Sequence, residues 1–145
     1  MIFARAALFA ALVAVPSTGI AQRSSVIPTG QTASATLTPG IRVGDVIYAS
    51  GQLGVVRDAP DSTIQGQTKR ALENLKVVIE AGGSNMANVA KCTVFLVDVK
   101  DFAGMNTVYR EFFPKEPPAR STVVVAALVS PTAKVEIECI AAVVK

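Results

Sequence analysis

The chain has 145 residues, half of them hydrophobic and 17% charged, with 14 basic against 11 acidic side chains and no histidine. That is enough for one domain with a sizeable core and too little for two, and the missing imidazole excludes Ser-His-Asp and Cys-His nucleophilic sites together with every histidine-based zinc pattern. The basic residues are scattered (Arg23, Arg42, Arg57, Lys69, Arg70, Lys91, Arg110), with no clustered stripe and no regular aromatic interleaving, so charge points to neither nucleic acid nor a polybasic membrane surface.

Arg5 precedes the apolar run Ala6 to Val15, which Pro16 stops and Gly19-Ile20-Ala21 follows, the layout of a secretory signal peptide (residues 1–21) cleaved after Ala21. The run is about ten residues, roughly 15 Å as a helix, whereas a spanning helix needs about 20, so a permanent membrane anchor is the weaker reading. The expectation is an exported protein, periplasmic or secreted, whose mature chain keeps 13 basic and 11 acidic residues because only Arg5 is lost. Residues 22–33 are rich in Ser, Thr, Pro and Gly and read as a flexible lead-in, with the folded domain over 34–145.

Ala35 to Leu37, Ile41 to Val43 and Val46 to Ser50 are short strand-forming runs separated by the turn dipeptides Pro39-Gly40 and Gly44-Asp45, and Ser50-Gly51-Gln52 ends the third. After a cap at Asp61 or Ser62, the apolar residues Ile64, Ala71, Leu72, Leu75, Val78 and Ile79 recur on one helical face until Gly82-Gly83. Ala90 to Asp98 has the Val, Phe and Leu content of a buried strand. Asp101 is placed to cap a second helix carrying Phe102, Met105, Val108, Tyr109 and Phe112, closed by Pro114. Pro117-Pro118 then forces an extended entry into the strand-like segment Arg120 to Leu128, and Ser130-Pro131-Thr132 separates it from Lys134 to Val144. The order is βββαβαββ, an α+β fold with two helices on one face of a six-stranded sheet. On the last strand Val135, Ile137, Cys139, Ala141 and Val143 share one side, while Glu136, Glu138, Ile140, Ala142 and Val144 share the other. That second, half-apolar side has no helix to cover it, which predicts association of copies.

Arg120 and Glu136 each sit inside an otherwise apolar segment, where an ion is costly unless it is paired, solvated or used. A plain hairpin turning near residues 130 and 131 puts Arg120 opposite about residue 141, roughly 16 Å from Glu136 along the strand, so local pairing does not bring the two together. Cys92 and Cys139, the only cysteines, lie in separate strand-like runs. Two buried free thiols are the favoured reading, and one disulfide is the alternative should the fold bring them within bridging distance.

Six motifs in this order and spacing resemble the RidA family, also called YjgF/YER057c/L-PSP: Gly44 to Gln52, Gln67 to Gly82, Lys91 to Leu96, Met105 to Phe113, Pro118-Ala119-Arg120-Ser121-Thr122 and Val135 to Ala141. The resemblance covers about Ala35 to Val144. It implies a chorismate-mutase-like fold with a mixed sheet and another strand inserted between Arg120 and Glu136. It also implies a homotrimer with a site between subunits, and hydrolysis of 2-imino acids or enamines to 2-keto acids and ammonia without metal or organic cofactor. By the same resemblance Arg120 holds the substrate carboxylate, Glu136 positions water, and Ser50, Gly51, Asn106 and Thr122 line the pocket. Leu37 replaces an aromatic residue common in the family's first strand. The chemistry suits the residues: a guanidinium offers a planar two-point fork to a carboxylate, and a carboxylate can orient water onto an electrophilic imine carbon.

Read without the family, Arg120 is a rim or interface ion-pair residue, Glu136 a solvated strand residue or a partner for Lys134, and Tyr109 and Phe112 are core. A non-catalytic trimer binding small carboxylates or a partner protein is the alternative function. RNA cleavage, ascribed to some relatives, has little support in the scattered charges.

Overall fold

The computed structural model describes residues 22–55 and 62–144. The signal-peptide reading of residues 1–21 and the capping role of Asp61 therefore lie outside the described residues. Strands β1 (Arg23–Val26), β2 (Gly40–Val43) and β3 (Val46–Leu53) precede helix α1 (Ile64–Ala81). Strand β4 (Val89–Leu96), helix α2 (Phe102–Phe112) and strands β5 (Ala119–Val124) and β6 (Val135–Ala142) follow. All six strands form one sheet in the order β1-β2-β3-β6-β4-β5, with β4 and β5 parallel and the other pairs antiparallel. The expected order βββαβαββ holds, and β4 is the strand that intervenes between the Arg120 and Glu136 strands.

The first strand is not where the sequence puts it. Arg23–Val26, assigned to a flexible lead-in, pairs with Gly40–Val43 along the sheet edge, and Ala35 to Leu37 is a bend rather than a strand. Only Val26 of the new strand is buried, so burial gives β1 no repeating apolar signal; its hydrogen bonds to β2 hold it. Within the bend, the Ser34 hydroxyl accepts from the backbone N–H of Leu37 at 2.9 Å. A side chain there competes with the ladder for the backbone donor.

Helix α1 forms as its periodicity demands. Ile64, Ala71, Leu72, Leu75, Val78 and Ile79 are buried against the sheet, and Thr63 is the cap, its side chain accepting from Gly66 N–H. Deleting a fully buried side chain of this stripe, such as Leu75, costs about 2–5 kcal/mol. Two buried polar residues on the same helix are satisfied locally. Thr68 donates to Ile64 O at 2.7 Å. Gln67 donates to Thr132 O at 2.9 Å and accepts from Lys134 N–H at 2.8 Å, which ties α1 to the start of β6. At the start of α2, Asp101 occupies the cap position without a side-chain bond and instead meets Lys134 at 3.4 Å. Asp98 does the capping one turn earlier, accepting from Lys100 N–H at 2.9 Å at the head of a short 3-10 turn.

Both helices lie on one face of the sheet, over Ile47 and Ala49 of β3, Val135, Ile137, Cys139 and Ala141 of β6, and Cys92, Val94 and Leu96 of β4. Because Cys92 and Cys139 stand opposite one another on the antiparallel β4–β6 ladder and both point to this face, they form a disulfide, not the free thiols favoured from the sequence. Spacing alone could not reveal this, since it depends on which strand β6 chooses as neighbour. The crosslink spans a separation of 47 residues, and closing a loop of that size is worth about 2–4 kcal/mol. Replacing both cysteines by alanine is expected to lower Tm by roughly 10 °C in a calorimetric scan without reductant. An unchanged Tm would show that the bond contributes nothing.

Candidate functional site

The register decides what Arg120 and Glu136 can reach. Arg120 on β5 is level with Cys92, and Thr122 with Val94, so both project to the helix-covered face. Glu136 on β6 is level with Phe95, on the opposite, uncovered face. Three rungs and two strand spacings separate the two backbones, roughly 14 Å in the plane of the sheet, and the sheet itself lies between the side chains. One copy of the chain thus carries two half-sites that do not meet.

The first half-site is built by α2 and the entry to β5. Asn106, Tyr109, Arg110 and Phe113 fall at three- and four-residue steps around α2 and its end, one stripe facing Pro117, Pro118 and Arg120, and together they enclose a cavity of about 430 Å³. Among the described residues no acidic side chain lines it. Arg120 is half-buried, and among the described residues no carboxylate pairs with it. Its neighbours are neutral: the Tyr109 ring with its centroid 4.6 Å away, the Phe102 ring at 5.9 Å, and Met105 Sδ at 3.9 Å from Nη1. The sequence points to Arg120 and Asn106 here and misses Arg110, Phe102 and Met105. Tyr109, read as core, is core and platform at once, because it is 5% exposed yet carries the guanidinium on one ring face.

The hydroxyls of Tyr109 and Thr122 are the two buried side-chain polar atoms that lack a partner among the described residues. Most such groups in folded proteins are bonded. Burial raises the Tyr109 phenol to about 12, against the opposing pull of the Arg120 charge.

The second half-site is built by β3 and β6. The β3–β6 register shifts between Ala49 and Gln52, so Ser50-Gly51 is an irregularity inside a strand that continues to Leu53, not a strand-ending turn. At this bulge the missing side chain of Gly51 makes room for the Glu136 carboxylate, onto which a Cβ at position 51 would fall. Ser50 Oγ donates to Thr38 O at 2.6 Å and Ser50 N–H to Pro39 O at 2.9 Å, pinning the bend that carries Leu37 beside β3. Leu37 itself is 55% exposed, in the loop and not in the first strand. Glu136 also borders a recess walled by Phe95, Val125, Ala127, Leu128 and Val129, in which it is the only charged lining residue among the described residues. Lys134, one candidate partner for Glu136 when the residues are read without the family, is engaged by Asp101 instead.

Ser50, Gly51 and Glu136 are thus brought together with Leu37 nearby, as are Arg120 and Asn106 with Thr122 on their face, while the two sets stay apart. Residues 28–143 match the family model described as Endoribonuclease L-PSP. The chain is similar to the 2-iminobutanoate/2-iminopropanoate deaminase of Dermatophagoides farinae, 40% identical over 103 residues, covering 69% of this chain and 80% of that one. It is 37% identical over 115 residues to the chloroplastic Reactive Intermediate Deaminase A of Arabidopsis thaliana, covering 75% of this chain and 61% of that one. Among solved structures, the YjgF gene product of E. coli superposes with a TM-score of 0.73 at 33% identity, over 82% of this chain and 98% of that one.

The buried phenol has a measurable consequence. A folded-state pKa raised from 10.0 to about 12 contributes stability that is fully present below pH 10 and is lost as pH rises through 12. Tyr109→Phe removes the ionisable group and an unpartnered hydroxyl, so its unfolding midpoint is expected to fall less steeply between pH 10 and 12 than that of the native chain. Parallel declines would remove Tyr109 as the cause.

Proposed function

The chain belongs to the Endoribonuclease L-PSP family, and we propose that within it this protein hydrolyses small 2-imino acids, or the enamines that tautomerise to them, to 2-keto acids and ammonia. The single observation that carries the reading is the Arg120 guanidinium, half-buried, without a carboxylate partner among the described residues, and opening on a cavity with no acidic lining. A half-buried cation with no anion beside it is placed to receive one from a ligand. A substrate carboxylate supplies it through two charge-assisted hydrogen bonds. The names of the two deaminase relatives give the chemistry that follows binding.

In this reading the substrate lies between copies, Arg120 from one and Glu136 from the next, because the two half-sites of a single chain face away from each other. The uncovered sheet face, with Tyr48, Val123 and Ile140 among Lys91, Glu136 and Glu138, is the surface through which copies associate, and a trimer is the assembly the family resemblance implies. Glu136 orients a water onto the imine carbon and takes its proton. A C–O bond forms, the C=N electrons move to nitrogen, and after proton return the C–N bond breaks to release ammonia and leave the keto group. One water is consumed, no oxidant or reductant is needed, and the protonated imine is electrophilic enough to react without a nucleophilic side chain. Export also belongs to the proposal. It is supported by the signal-peptide layout before Ala21 and by the Cys92–Cys139 disulfide, a bond suited to an oxidising compartment.

Imines generated by an amino-acid oxidase and trapped with semicarbazide should be consumed faster in the presence of the mature protein. Arg120→Ala is expected to lower kcat/KM by roughly 10²–10³-fold, and Glu136→Gln to lower kcat by about 10²-fold. Keto acids bound through Arg120 with no acceleration of any imine would support instead the binding-module reading. Gly51→Ala offers a sharper test, because the new methyl displaces the end of a flexible side chain and leaves backbone in place. Activity should drop at least tenfold with Tm changed by only a few degrees, and full activity would remove Glu136 from the mechanism.

A further inference from the structure

We propose that Tyr109 is a positioning residue for Arg120, its ring face fixing the plane of the guanidinium while leaving the positive charge uncompensated for the substrate. The proposal rests on the reading of Arg120 as carboxylate anchor. A long, flexible arginine can be immobilised by a carboxylate, but that partner would satisfy the same N–H groups the substrate needs. Helix α2 supplies a neutral alternative. Phe102, Met105 and Tyr109 follow one another at helical spacing and meet Arg120 at 5.9, 3.9 and 4.6 Å, the first and last by their ring centroids. Both rings lie within cation–π distance, and the closer of the two, Tyr109, is itself held from behind. Tyr109 stacks on Phe113, centroids 4.7 Å apart and planes tilted by 42°, and both residues are 5% exposed.

The ring, not the hydroxyl, does the positioning. Tyr109 Oη has less than 1 Å² of accessible surface and no hydrogen-bond partner among the described residues, so it is turned away from the open part of the cavity. What matters about the phenol is that it stays neutral. With its pKa raised to about 12 it does not become a tyrosinate beside Arg120 at any working pH. A charged phenolate there would hold the guanidinium as firmly as a carboxylate and deprive the site of its free cation.

The test compares Tyr109→Leu and Tyr109→Phe in the intact protein, with 2-oxobutanoate binding measured by calorimetry and imine turnover measured as above. Leucine is expected to raise KM and the keto-acid Kd about tenfold, with kcat within about threefold, whereas phenylalanine keeps both constants within about threefold of the native protein. A Tyr109→Leu protein that binds as tightly as the native chain, while Arg120→Ala binds nothing, would overturn the positioning role and leave the anchor reading standing. A Tyr109→Phe protein as weak as Tyr109→Leu would overturn it in favour of the hydroxyl. Native protein that binds no keto acid and turns over no imine would fail the anchor reading itself, and the inference with it. Should the leucine variant not fold, arginine-labelled NMR of the native protein decides. Resolved, upfield-shifted Arg120 guanidinium resonances support the stacked fork, and averaged, unshifted resonances overturn it.

Discussion

Everything about the candidate site depends on where β4 sits. It is hydrogen-bonded antiparallel to β6 on one side and parallel to β5 on the other, so it fixes both the distance and the facing of the two charged residues. Cys92 marks the junction, bonded through sulfur to Cys139 on one neighbour and level with Arg120 on the other. Because side chains alternate with a period of two, a slip of one residue in either ladder would turn Arg120 away from α2 or press Glu136 into the core. The disulfide across the β4–β6 ladder opposes such a slip where it would do most harm.

Arg120 and Glu136 are handled by opposite means. Arg120 keeps its charge among neutral, polarizable neighbours, two rings and a thioether, which hold it by quadrupole and dispersion and compete little with an incoming anion. Glu136 keeps its place because a glycine stands beside it, at a point where the strand is already irregular. One residue is positioned by what surrounds it and the other by what is missing next to it. In both cases no opposite charge among the described residues is paired with it.

Much of this could be read from the sequence wherever one periodicity dominates. The α1 stripe, the parity of Val135, Ile137 and Cys139 against Glu136 and Glu138, and the stop at Gly82-Gly83 all follow from apolar spacing and turn chemistry alone. The order of elements and the motifs along them led to the family. What could not be read depends on pairing between distant segments. β1 is held by backbone hydrogen bonds at the sheet edge and buries only Val26, so its side chains carry no signal. Asp101 satisfies every local rule for a cap and is drawn off by Lys134, 33 residues away. Tyr109 looks like core from its helical position because it is core. Its second contact is with a strand whose register only the folded sheet defines.

The disulfide also orders events in time. Cys139 lies on β6, the last strand in the chain, and Cys92 on β4, so the two sulfurs face each other only after β6 has docked between β3 and β4. Until then both remain open thiols, accessible to oxidants and to thiol–disulfide exchange. Once the sheet has closed, both cysteines are 2% exposed or less and are withdrawn from exchange. Thiol accessibility therefore reports whether β6 has docked, and a chain that has buried its sulfurs has also set β6, and with it Glu136, in register on β4.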